Sequence, residues 1–429
     1  LGLVALLLFV LSVGVSAYES DRIDFGEIDF GGATVTFVAH FNNLGRFEEG
    51  GAQAGRLEEA KKLFNIGDIQ MVTAGWGEVG EAALNRYLSG DSKYDIWRLP
   101  HEHFFTLATK GAFYPVGDIL PKEYFEELPP ITKEKNQRLQ YDGKLLHFSV
   151  GVPDDYGHAP FAVVNLDMLE RENQPDPIEL YQNNEWNWEN VEKIAQAVTR
   201  DTDGDGIVDQ WGFAEVSQLT MILSNDGAIT RLGEDGKVYF AMDEPQTIAA
   251  LRKHKEWEDQ GLMQGDYQLR EFITGQTAMA LGMPFYAINP NEYDFRHAVL
   301  PLPMGDDVDD YVFGPGVADA LFIPANSAYP LGLVALDNFL FPIDEYWEAL
   351  EDSIVTRVAD QVSYRAMYQV LEEADGDAAY YHNFLGRPWE TATPYGGILT
   401  GVRDGRPAGT LVNEFKPQGQ AMIDEYLNQ

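Results

Sequence analysis

The chain has 429 residues and no cysteine, so it has room for two globular lobes and must hold them together with apolar cores rather than disulfides. Thirty basic against 69 acidic residues leave a formal net charge of −39, which argues against nucleic acid and anionic membrane surfaces as partners. Cysteine is also unavailable for a bacterial lipid anchor or a thiolate metal cluster.

Leu1 to Val15 form an apolar run, and small residues at Val15 and Ala17 match a signal-peptidase site. Residues 1–17 therefore read as a signal peptide and place the protein across the cytoplasmic membrane, periplasmic or extracellular. An uncleaved anchor is the alternative, although the run is short for a membrane span. Residues 18–32 are acidic and glycine-containing and read as a flexible leader.

The first strand is Ala33 to Ala39, and the polar stretch His40 to Gly55 interrupts regular structure after it. A helix over 56–65, a strand over 68–73, a helix over 77–89 and a strand over 94–99 follow. That alternation predicts right-handed parallel α/β units, which bind ligands beyond the carboxyl ends of their strands. Tyr141 to His147 reads as a turn between short strands, and Phe161 to Asn165 as a buried strand. In a second α/β region, Trp188 to Val198 is an amphipathic helix capped by Asn187, and Pro245 to Gln260 is a helix stopped by Gly261. Thr277 to Leu281 is a strand running into Met283, Pro284 and Phe285.

Asp201 to Phe213 read DTDGDGIVDQWGF. Asp201, Asp203, Asp205 and Asp209 fall at the first, third, fifth and ninth positions of an EF-hand-like loop, Ile207 offers its carbonyl at the seventh, and Gly206 supplies the bend. Clustered carboxylates repel one another, and a hard divalent cation removes that repulsion. The loop predicts a structural calcium ion. Gly212 stands where an EF-hand would carry a bidentate glutamate, so the last ligand must come from elsewhere. A solvated acidic turn is the alternative reading.

The order of these elements resembles the extracellular solute-binding proteins of ABC importers, in the sugar and oligosaccharide group that includes maltose-binding proteins. The resemblance rests on Gly75 to Trp97 (GWGEVGEAALNRYLSGDSKYDIW), Tyr141 to Gly151 (YDGKLLHFSVG), Asn187 to Phe213, and Phe272 to Tyr286 (FITGQTAMALGMPFY). It implies an α/β, two-lobed, periplasmic-binding-protein-like fold with a ligand cleft between discontinuous lobes. The first lobe would take residues 33–155 and 314–345, and the second 156–313 with the C-terminal helices of 346–429. The crossings would lie near Asp154 to His158 and Gly314 to Val317.

The resemblance further implies a non-enzymatic, monomeric receptor that delivers a carbohydrate to a membrane permease by hinge closure. Its ligand contacts would be His40, Asn42 and Asn43 past the first strand, Glu102 and His103 past the third, Asp155 and Tyr156 at the crossover, Phe285 and Tyr286 after Met283-Pro284, and Trp389 in a late loop. Phe285 stands where sugar binders of this family commonly carry a stacking tryptophan. Tyr395 is a further cleft candidate, whereas Trp76 reads as packing and Arg98 as half of an internal ion pair. Rival classes are a secreted polysaccharide-acting enzyme and a calcium-dependent adhesion protein. Against the first, adjacent Asp154 and Asp155 on a strand would face opposite ways; against the second, only one acidic loop is present.

Overall fold

The structure, a computed structural model, describes residues 17–19, 23–51, 53–126, 128–129, 132–133, 135–136, 139–149, 159–214, 216–264, 272–313, 319–373, 385 and 390–428. Residues 1–16 of the expected signal peptide, Asp155, Tyr156 and Trp389, and both expected crossings, 154–158 and 314–317, lie outside that set.

Among the described residues, two four-stranded sheets organise the fold. In the first, Thr34–Ala39 runs parallel to both Asp68–Thr73 and Asp95–Leu99, and Ala320–Phe322 closes the edge antiparallel to Asp95–Leu99. Strand residues alternate between two cores, with Phe37 and Ile96 on one face and Val38 and Trp97 on the other. Such near-continuous apolar strands are what a sheet covered on both sides requires. Helices Arg56–Leu63 and Val79–Ser89 make the crossovers, the second ending where Gly90 turns left-handed at φ 81°.

The second sheet is mainly antiparallel. Pro160–Asn165 lies antiparallel to Thr277–Pro284 and His297–Leu300, and only Trp211–Phe213 joins in parallel, beside Thr277–Pro284. Here too the faces alternate: Ala162 and Val164 look into one core, Phe161 and Val163 into another. Helix Trp188–Val198 buries Trp188, Val191, Ile194, Ala195 and Val198 along one face, and Asn187 caps it by accepting from the Asn190 N–H at 3.0 Å.

After the Ala320–Phe322 strand, helix Pro330–Leu340 packs into the core of the first sheet. Helices Ile343–Val355 and Gln361–Glu372 pack on one face of the second sheet, and Pro394–Arg403 with Ala408–Tyr426 on the other.

The flexible leader expected over 18–32 is corrected. Asp24–Glu27 is a strand paired with Ala17–Glu19, and Phe25, Ile28 and Phe30 are buried in the first core. Three apolar anchors thus stand among acidic residues and glycines in a stretch whose average composition reads as a flexible leader.

Candidate functional site

At the carboxyl edge of the first sheet, the parallel strands deliver their following residues to one place. His40 and Phe41 follow Thr34–Ala39, Trp76 follows Asp68–Thr73, and Glu102 and His103 follow Asp95–Leu99. The antiparallel edge strand brings its entry residue Asp319 to the same end, because Ala320 pairs with Leu99.

Buried Arg98 donates through Nε to Asp319 Oδ2 at 2.9 Å, so its expected internal ion pair is present. His40 Nδ1 lies 3.5 Å from the same oxygen but makes no hydrogen bond there. Lys135 Nζ donates to the Asp319 carbonyl at 3.1 Å. Burial pushes His40 below the usual histidine range; Arg98 and His103 push it the same way, against Asp319 and Glu102. The imidazole is therefore neutral at pH 7.

Around this polar knot stand two exposed rings. Trp76 meets His40 edge-on with centroids 4.6 Å apart, Phe41 meets it likewise at 4.6 Å, and the Arg98 guanidinium lies 4.8 Å from the Phe41 centroid. Trp76 and Phe41 keep 36% and 40% of their surface in solvent, unusual for rings of this size. His103 Nε2 is 2.8 Å from the Trp76 carbonyl, so that nitrogen carries the proton and donates. The ring rests directly on Gly80 near the start of the Val79–Ser89 helix, where any Cβ would overlap it.

Of the sequence candidates, this edge gathers His40, Glu102 and His103, with Asn42 and Asn43 on the adjoining loop. Asn42 is engaged locally: it accepts from the Leu44 N–H and donates to Glu48. Asn43 is 8% exposed, and neither of its amide atoms has a partner.

Phe285 is placed differently from the stacking role expected of it. Its ring is fully buried in the second-sheet core, with the Arg357 guanidinium 4.4 Å from its centroid. Tyr286 belongs to the short turn Phe285–Ala287. Tyr395, expected at the cleft, is 2% exposed in the other core of that sheet. Sequence reasoning missed Phe41 and Asp319 and assigned Trp76 to packing. Their common signal is position: Phe41 lies two residues past Thr34–Ala39, Trp76 three residues past Asp68–Thr73, and Asp319 immediately before Ala320–Phe322.

In the acidic loop, Asp201, Asp203 and Asp209 bring one carboxylate oxygen each within 4.8 Å of the others, close enough to share a cation. Asp205 and Ile207 are not in that close group; Asp205 instead accepts from the Ile207 N–H at 2.8 Å. Asp201 accepts from the N–H groups of Gly204 and Gly206, which hold its carboxyl below the usual range. Gly212, where an EF-hand glutamate would stand, is pressed against Ala195 of the preceding helix, leaving no space for a side chain.

A family model described as bacterial extracellular solute-binding protein matches residues 51–341, well over half of the chain. The chain belongs to that family. Its function is to bind solutes, not to transform them. Among solved structures, this solute-binding protein is similar to an extracellular solute-binding protein from Staphylococcus aureus in complex with maltose (13% identity, 92% and 99% of the two chains, TM-score 0.64). It is likewise similar to the Thermus thermophilus maltotriose binding protein bound with maltotriose (16%, 91% and 99%, 0.60) and to an ABC transporter solute-binding protein from Agrobacterium radiobacter in complex with ribitol (15%, 92% and 100%, 0.61). At these identities the likeness shows the fold, that of two-lobed periplasmic binding proteins. Curated protein sequences yield no match. Among the described residues, no helix is long and apolar enough to cross a membrane.

Proposed function

We propose that this solute-binding protein is the extracellular receptor of an ABC importer, capturing a sugar or oligosaccharide between its two lobes and handing it to a membrane permease by hinge closure. The observation that carries the reading is the pairing, at one sheet edge, of two exposed aromatic rings with a buried polar knot. Flat ring faces cover the C–H patches of a pyranose, while His40, Glu102 and His103 offer hydrogen bonds to its hydroxyls. Neighbours of the same fold in complex with maltose, maltotriose and ribitol support a neutral polyhydroxylated ligand. Both lobes would contribute, with Tyr286, Asp155, Tyr156 and Trp389 the contacts proposed outside the first sheet.

Thermal-shift and calorimetric titration against maltose, maltotriose, larger glucans and polyols tests this. A saturable rise in melting temperature with at least one member is expected. Trp76→Ala should weaken that binding about tenfold or more while leaving the melting temperature near that of the parent, since exposed substitutions cost within about 0.5 kcal/mol. Phe285→Ala instead should cost about 3–5 kcal/mol of stability as a core deletion. Full affinity in Trp76→Ala would remove the aromatic edge from the ligand site.

Calcium at the Asp201, Asp203 and Asp209 loop belongs to the same reading, as a structural clip rather than a ligand contact. A ligand present at 100 times its Kd stabilises by about 2.7 kcal/mol. Calcium should therefore raise the melting temperature of the parent and not that of Asp201→Asn; equal responses in the two would exclude the site.

A further inference from the structure

Trp76 is gripped from a strand that is not its neighbour. In the first sheet Asp95–Leu99 and Asp68–Thr73 lie on opposite sides of Thr34–Ala39, so a side chain past the one must cross the end of the central strand to reach the loop past the other. His103 does so, donating through Nε2 to the Trp76 carbonyl at 2.8 Å. Its base is fixed: its own N–H bonds to the Pro100 carbonyl at 3.0 Å, and Phe104 and Phe105 directly after it are buried. The gripped loop is a tight turn, in which the Gly75 carbonyl accepts from the N–H groups of Glu78 and Val79 and Trp76 stands on the shoulder. Gly80 completes the arrangement. It is a buried helical residue whose φ is not positive, so the backbone there does not ask for glycine, and alanine would suit the helix better. The His103 ring does ask for it, since a Cβ on Gly80 would overlap its Nδ1 and Cγ.

We propose that His103 is a positioning residue for solute capture: seated on Gly80, it holds the Trp76 turn in place, so that the exposed indole stands ready before the solute arrives. This rests on the reading that Trp76 covers the solute. The His40 ring, edge-on to the indole at 4.6 Å, steadies it from the side, while His103 holds the backbone that carries it. A solute that meets an ordered ring does not lose the free energy of ordering it. Most of what His103 contributes to affinity therefore passes through Trp76.

Fluorine NMR on the full chain labelled with fluorotryptophan tests the grip without a ligand, the Trp76 signal being the one missing from Trp76→Phe. In His103→Ala and in Gly80→Ala that signal should move towards the position of free fluorotryptophan and sharpen. In His103→Gln, which keeps an N–H at similar reach, it should stay near that of the parent. Adding Gly80→Ala to His103→Ala should change nothing further, because the methyl then has room. Calorimetric titration with maltotriose tests the consequence. His103→Ala and Gly80→Ala should each weaken binding about three- to tenfold, the worth of ordering one large side chain, and His103→Gln should recover most of it. Made in Trp76→Ala, His103→Ala should cost less than about twofold more, since the two act as one unit. An unmoved Trp76 signal in His103→Ala, a full loss shared by His103→Gln, or additive losses from His103→Ala and Trp76→Ala would each overturn the proposal. If Gly80→Ala does not fold, the His103 variants carry the same test. A parent that does not bind maltotriose would instead fail the sugar reading, and the ligand-free spectra would still decide the grip.

Discussion

His254 is a buried base with one task. It is 7% exposed and lies on the Pro245–Asp259 helix, where its Nε2 donates to the Val216 carbonyl at 2.8 Å. Burial, reinforced by Arg403 and Lys255, pushes it down from 6.5 to about 4. Between those two values the unfolded chain takes up a proton that the folded chain refuses, so stability falls as pH falls through this window, by about 1.4 kcal/mol per unit. The total from this residue is about 3 kcal/mol, present above pH 6.5 and gone near pH 4. His254→Gln keeps an N–H donor for Val216 and cannot titrate. It should cost stability at pH 7, and the deficit should shrink as the pH is lowered to 4 in urea unfolding. Parallel curves for the two proteins would show that His254 does not refuse the proton.

At the scale of elements, the Trp188–Val198 helix and the acidic loop after it were legible because their signals are local. Asn187 caps, the apolar face repeats with helical period, and the loop carboxylates alternate around glycines. What stayed hidden depends on distant chain. The Met283-Pro284-Phe285 motif fixes where Phe285 leaves its strand but not which way the ring turns, and the group that covers it, Arg357, comes 72 residues later. Arg98 and Asp319 are 221 residues apart, so the polar knot of the candidate site could be named only from one side. Gly212 belongs to the same class: in the sequence it looked like a missing ligand, whereas in the fold it is the point where strand meets helix. Gly212→Ala should drive its methyl into Ala195 and cost about 1–3 kcal/mol, the usual range for overpacking. Wild-type stability in that variant would mean that helix and strand have room to separate. Gly212→Glu cannot complete an EF-hand here for the same reason.

For the whole molecule the dominant fact is a net charge of −39. Phe125 and, just past the last helix, Leu427 each pack against cores of both sheets. On a chain this acidic, mutual repulsion opposes both compaction and closure. Screening acts over about 30 Å at 0.01 M salt and about 8 Å at 0.15 M. Melting temperature should accordingly rise steadily with sodium chloride, and sugar affinity should rise with it, since closing compacts a strongly acidic molecule. Calcium at the Asp201 loop differs from this general effect in form. If the proposed calcium binds there, its stabilisation should saturate at one equivalent, remain at high salt and disappear in Asp201→Asn, whereas the response to sodium chloride should persist in that variant. If melting temperature and affinity were both flat from 0.01 M to 1 M sodium chloride, the charge would be distributed so that neither folding nor closure concentrates it, and the acidic surface would serve solubility alone.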